Sequence, residues 1–166
     1  NFINGMKLWE RYPAVFGISY VERVRAKDKS EFINSVRQDT TLNSAGYPDF
    51  KIFPESEKEE YVVVKYSEPP EIAAKAMGFD VSSEKERLTA LERSRDTGQA
   101  AATAQVKFIT GDNGFWICLP VYRNSASISN VEKRRQALEG FVLAAFRAED
   151  LFKGISGSFT PYSGID

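Results

Sequence analysis

The segment Glu68–Thr103, EPPEIAAKAMGFDVSSEKERLTALERSRDTGQAAAT, constrains the fold more than any other part of the chain. Pro69-Pro70 ends an extended run and suits the first turn of a helix, where a missing N–H is harmless. Gly78 then supplies a C-terminal stop. Ser83 and Glu86 have capping-box spacing, in which each side chain answers the other's free backbone N–H. A helix from Glu84 to Asp96 is expected next, with Leu88, Leu91 and Arg95 facing inward and Gly98 ending it. Arg87 and Arg95 are expected to pair with Asp80, Asp96 or backbone carbonyls, and Asp80 to serve as a turn and cap residue. Sequence on either side reads mostly as strand. The segment is therefore expected to cover one sheet with helix, and a small ligand would lie between cover and sheet.

Upstream, Phe2, Met6 and Trp9 have helical spacing and Pro13 closes that helix. Val15–Val24 is rich in β-branched and aromatic residues and reads as a strand, with Ile18, Tyr20, Glu22 and Val24 on one side. Lys27–Gln38 reads as a helix capped by Asp28, with Phe32, Ile33 and Val36 on its apolar face. Asn43–Gly46 is a turn. Asp49–Phe53 and Glu60–Tyr66 are expected to pair as a hairpin across the solvated link PESEKEE. Downstream, Ala100–Ile109, Phe115–Arg123 and Gly140–Arg147 read as three strands. Gly111-Asp112-Asn113-Gly114 makes the tight turn between the first two. Asn124–Glu139 is polar and partly helical, and Ala148–Phe152 reads as a short closing helix.

Strand, helix, strands, helices and three strands make an α+β chain and not an alternating βαβ one. The expected fold is a PAS-like antiparallel sheet of five or six strands with helices over one face, preceded by the end of a long N-terminal helix.

Composition removes several kinds of chemistry. Lys and Arg total 22 against 23 Asp and Glu, so no long-range field draws in nucleic acid or an anionic membrane surface. The chain has no histidine and one cysteine, which excludes a Cys/His metal site and the commonest general base. No cofactor is expected. Cys118, inside FWICLPVY, reads as a small buried apolar residue. Glu68, Glu71 and Asp80 are the carboxylates an enzyme would draw on, but nothing sets two of them at a working separation. No GxSxG nucleophile motif is present. No apolar run approaches the ~20 residues of a membrane span. The start at Asn1 and the tail SGSFTPYSGID read as those of a fragment of a larger protein.

A resemblance sharpens this reading. Glu68-Pro69, Met77-Gly78-Phe79-Asp80, the Ser-rich helix start with Arg87, Arg95-Asp96-Thr97-Gly98-Gln99 and Thr103 resemble the centre of a CHASE domain of bacterial type. The similarity extends through Tyr20-Val21-Glu22-Arg23-Val24, the Phe32 helix, Tyr61 to Pro69, Leu119-Pro120-Val121-Tyr122, and Glu139-Gly140-Phe141 to Phe146-Arg147. It covers residues 15–152 in the family's order.

The resemblance implies an extracytoplasmic sensor module, not itself an enzyme, of a membrane-bound histidine kinase or nucleotide cyclase such as a diguanylate cyclase. Residues 1–13 would be the end of an N-terminal dimerisation or stalk helix. Residues 14–155 would be the membrane-distal PAS-like sensor unit, and 156–166 the start of a membrane-proximal region. The implied partners are a small-molecule ligand and a second copy bound through the N-terminal helix, with no nucleic acid. The implied placement is periplasmic, tethered to the inner membrane through the parent protein.

In plant cytokinin receptors, which belong to the same family, an acidic residue and a threonine contact an adenine-type hormone in an apolar pocket. The threonine position falls on Thr103, and Glu68 and Glu71 compete for the acidic one. The pocket floor maps to Phe141, Leu143 and Ala145, and Leu91, Tyr61 and Val63 complete the expected ligand-binding set. Alanines 100–102 and 145 leave room for a ligand. Pro69-Pro70 and the apolar surroundings of Trp116 depart from a cytokinin site, so the hormone is not carried over. Two other readings stand beside the sensor: a ligand-free dimerisation spacer and a small carboxylate-dependent enzyme.

Overall fold

A computed structural model describes residue 12 and residues 14–150. The Phe2, Met6, Trp9 stripe, Pro13, residues 156–166 and part of the expected closing helix lie outside the described residues.

Among the described residues six strands form one sheet: β1 (Val15–Arg25), β2 (Glu60–Glu68), β3 (Ala101–Ala102), β4 (Val106–Lys107), β5 (Asn113–Tyr122) and β6 (Leu138–Arg147). Four α-helices join them: α1 (Lys29–Gln38), α2 (Pro70–Ala76), α3 (Lys85–Thr97) and α4 (Val131–Ala137). The strand order is β2-β1-β6-β5-β3, with β4 also on β5. Every pairing is antiparallel. This is the α+β, PAS-like antiparallel architecture expected from the sequence, except that helices lie over both faces of the sheet and not one, because α1 packs on the side opposite α2 and α3.

Strand alternation sends the sheet's side chains to two faces. Val21, Val62, Val64, Cys118, Phe141 and Leu143 pack with Ala76 of α2, Val81, and Ala90 and Leu91 of α3. This is the expected helical cover. On the other face, Val24, Tyr61 and Val63 pack with Phe32 and Val36 of α1 and with Phe50 and Ile52. Tyr61 to Val64 are all buried because β2 is covered on both sides, and the run YVVV shows no polar alternation for that reason.

Several local expectations are corrected. Residues 49–53 form no strand and no hairpin with β2. Phe53 makes a single bridge, to Phe79. The edge of β2 is taken by the Gly78–Asp80 segment instead: Gly78 N–H donates to the Val64 carbonyl at 2.8 Å and Val64 N–H to that of Phe79 at 3.0 Å. Ser83 and Glu86 form no capping box, because Glu84 is the N-cap of α3 and makes no side-chain cap bond. Nor does Asp28 cap α1 with its side chain.

Leu88 is turned outward and is 38% exposed, while Arg87, Ala90, Leu91 and Ser94 form the inward stripe of α3. The expected strand Ala100–Ile109 is broken into β3 and β4. At the break, the Thr103 hydroxyl oxygen accepts the Trp116 N–H at 2.9 Å, a role that a backbone carbonyl fills in an unbroken ladder.

The stop of α3 behaves as read. Gly98 is left-handed at φ 73° and its N–H donates to the Ser94 carbonyl. Gly78 is not the cap expected: Met77 is the C-cap of α2, and Gly78 follows it in a turn at φ 88°, its N–H given to β2 and a Cβ there set to strike the Lys51 carbonyl oxygen.

Candidate functional site

A cavity of about 50 Å³ lies between the helical cover and the sheet. Gly17, Ser19, Trp116, Leu143 and Ala145 form its floor, and Ile72, Ala76, Phe79 and Arg87 its roof. Phe108, Ile109 and Thr110 close one side. The floor is low because the register sets Gly17 against Ala145, and Ala145 against Trp116. Two neighbouring strands thus carry almost no side chain at this point, and the cover cannot fall far enough to fill the gap.

Stacked rings make one wall. Phe16 and Phe108 have centroids 5.7 Å apart, and Phe108 and Trp116 6.1 Å, at interplanar angles of 17° and 12°. Among the described residues of this apolar lining sits one charged group. Arg87 is 2% exposed. Its guanidinium carbon is 4.4 Å from the centroid of Trp116 and 4.9 Å from that of Phe79, within cation–π range of both. Nη2 donates to the Lys107 carbonyl at 2.6 Å and Nη1 meets the Glu84 carboxylate at 3.2 Å. Nε is buried without a partner. Burial pushes the guanidinium pKa down, and the Glu84 carboxylate opposes that shift. The hydroxyls on the lining are already engaged: Ser19 with Ser67 at 2.9 Å, and Thr110 donating to Asp112 at 2.7 Å.

The sequence-derived ligand set divides around this cavity. Leu143 and Ala145 line it. Phe141 and Leu91 lie in the core beside it, 2% and 3% exposed. Thr103 is one step away, holding the backbone of Trp116 through both its N–H and C=O. Tyr61 and Val63 belong to the cluster on the opposite face. The Tyr61 hydroxyl donates to the Ser56 carbonyl at 2.8 Å. Glu68 lies at the end of β2 and lines a separate, open cleft of about 600 Å³ with Tyr47, Phe53, Tyr66 and Met77. Glu71 sits in the exposed first turn of α2.

Phe79, Arg87, Phe108 and Trp116 were not among the expected ligand contacts. A signal for Arg87 existed: positions 87, 90, 91 and 94 repeat at helical spacing, which makes Arg87 part of the inward stripe. The apolar content of α3 is so low that the charge at 87 hides the stripe.

Asp80 is a structural residue with no exposure. Its Oδ1 accepts from Val62 N–H at 3.1 Å, Ser82 N–H at 3.1 Å and the Ser82 hydroxyl at 2.7 Å. Its Oδ2 pairs with the Lys58 ammonium. The turn-and-cap role read from the sequence is the observed one. Arg95 pairs with Asp96 at 2.6 Å, also as read. Cys118 is 1% exposed and its thiol lies 3.1 Å from the Ala101 carbonyl. Burial pushes that thiol's pKa up, so it is an inert core residue and not a nucleophile. Among the described residues there is no cluster of metal-ligand type, and no helix is long and apolar enough to cross a membrane.

The sequence also matches known proteins. The sequence model of the CHASE domain covers residues 1–165. Probable histidine kinase 4 of Oryza sativa subsp. japonica is 28% identical over 144 residues, 86% of this chain. The chain spans 13% of that relative's length. The relative is a plant protein, so the bacterial type expected from the sequence gains no support from it. The match over nearly the whole chain, on a PAS-like sheet with its helical cover, places this chain in the CHASE domain family of sensor modules.

Proposed function

We propose that this chain is the extracytoplasmic ligand-binding unit of a membrane-tethered signalling receptor, and that a small molecule occupies the cavity between α2, α3 and the sheet. The observation that carries the reading is the cavity itself: an aromatic and aliphatic lining with one buried charged group. Small-molecule sites have that composition. The parent receptor is a histidine kinase or a diguanylate cyclase. The histidine kinase relative supports the first, although this chain corresponds to a small part of it. The module sits on the periplasmic side of the inner membrane and pairs with a second copy through its N-terminal helix.

Signalling follows from how the cover is held. Pro69-Pro70 joins α2 to the end of β2, and α2 supplies Ile72 and Ala76 to the roof. A ligand that wedges the roof upward moves α2 relative to the sheet. The signal is then the difference in ligand affinity between two arrangements of the cover, passed on through the dimer. The competing reading, a ligand-free spacer, draws on the cavity's size. About 50 Å³ holds a few waters, well below the roughly 300–1,000 Å³ of sites that enclose drug-sized ligands. A very small ligand or an opening of the cover reconciles that size with binding.

The test is a thermal-shift screen of the chain against adenine derivatives, amino acids, short organic acids and peptides, with Ala145→Leu as control. At least one class is expected to raise the melting temperature of the parent chain and leave the control unmoved. A screen in which no class acts, or in which chain and control respond alike, returns the molecule to the spacer reading.

A further inference from the structure

We infer that the ligand is a small carboxylate, held by the Nε–Nη2 edge of Arg87 with its carbon skeleton against Trp116 and Phe108. The inference rests on the cavity reading above and names the chemistry it selects. Among the described residues Arg87 is the single charged one on the lining, and it is 2% exposed. Desolvating a guanidinium is expensive unless its donors are all answered. Two of its nitrogens are answered, by the Lys107 carbonyl and the Glu84 carboxylate, and Nε is not. Nε and Nη2 lie on one edge of the guanidinium, and Nη2 has a second hydrogen beyond the one given to Lys107. That edge is the one that grips a planar two-oxygen anion through parallel bonds.

The existing counter-charge leaves work for a ligand. Glu84 is 48% exposed at its side chain, three residues before Arg87 on the rim of α3. Water screens it, so it offsets only part of the buried positive charge. A cationic ligand would add to that charge and a neutral one would leave it as it is. A tetrahedral phosphate brings two further oxygens, which would lie among Trp116, Phe108 and Ala145 with no donor to meet them. A carboxylate uses both its oxygens on Arg87 and presents only carbon to the rings. At about 50 Å³ the cavity restricts that carbon to a chain of a few atoms, and a ring requires the cover to open.

The experiment is calorimetric titration of the 166-residue chain at neutral pH with propionate, butyrate and benzoate, each beside its amide. At least one acid is expected to bind saturably, and its amide about tenfold more weakly or worse, the difference of one charge-assisted bidentate contact. Arg87→Lys keeps the charge, loses the fork and is expected to weaken the acid by a similar factor. Should Arg87 variants fail to fold, Ala145→Leu is the second arm. It fills the cavity without touching Arg87, and is expected to abolish acid binding. Acids and amides binding alike would overturn the carboxylate assignment and leave the cavity site standing, as would a neutral ligand that Ala145→Leu excludes. Acids that bind the parent chain and Ala145→Leu equally would place the site elsewhere and sink both. No binding of any of these acids overturns the inference.

Discussion

Replacing Asp80 with alanine is expected to lower stability by about 3 kcal/mol. The figure follows from what the carboxylate holds. Val62 is 6% exposed, so its N–H has no route to water once Oδ1 is gone. An orphaned buried donor costs roughly 1–3 kcal/mol. Ser82 also loses an acceptor for its N–H and its hydroxyl. It is half-buried and can recover water, so about 0.5–1 kcal/mol is added there. Lys58 is 27% exposed at its side chain and can swing outward, which keeps the loss of the ion pair under about 1 kcal/mol. Asp80→Asn keeps a carbonyl oxygen in place of Oδ1 and loses the ion pair, so about 1 kcal/mol is expected. Urea unfolding followed by tryptophan fluorescence measures both. An alanine variant within about 0.5 kcal/mol of the parent, or an asparagine variant as damaged as alanine, would refute the reasoning.

Gly78→Val should destabilise by at least ~1 kcal/mol, since the position needs a positive φ and has the Lys51 carbonyl where a Cβ would go; an unchanged melting temperature counts against this. Thr103→Val should cost about 1 kcal/mol by removing the acceptor for the Trp116 N–H, read as a shift in the urea midpoint. Acid should destabilise in a defined window. Hydrogen bonds from Thr41 and Tyr66 hold the Asp39 carboxyl down at about 2, and Arg135 and Arg95 hold Asp96 well below the usual carboxylate range. Both groups have native pKa values below their unfolded ones near ~4, so their contribution is present above ~4 and lost as pH falls toward ~2. Melting temperatures between pH 5 and pH 2 check this, and Asp96→Asn should give a flatter profile than the parent chain.

How much of this was legible depended on whether the deciding physics was local. Gly98 is read correctly because a left-handed turn after a helix is a property of the residue itself. The segment 49–53 misled because its strand-like residues are apolar for another reason. Phe50 and Ile52 are buried against α1, while Gly78–Asp80 occupies the β2 edge they would have used. Competition for an edge is not visible along the chain. Thr103 reads as a ligand contact from the family likeness, while in the structure its hydroxyl accepts the backbone N–H of Trp116, a bond that sequence spacing does not disclose. The floor residues Leu143 and Ala145 were legible because strand alternation fixes which of the β6 side chains share a face. Tyr61 and Val63 obey the same alternation and fall on the far side, since neither a buried run nor a family likeness tells which face is which. Arg87 was the hardest to see. A charge on the inward stripe of a helix this polar is read as surface until the cavity beneath it is known.

The most direct measurement uses Trp116 as its own reporter. The chain has two tryptophans, Trp9 and Trp116, so Trp9→Phe leaves one, on the cavity floor. Fluorescence of that variant would be followed during titration with any compound shown by calorimetry to bind. The account predicts a saturable change in Trp116 emission with the calorimetric midpoint, absent when Ala145→Leu is added. Emission that stays constant while the compound binds both variants with equal affinity would contradict it.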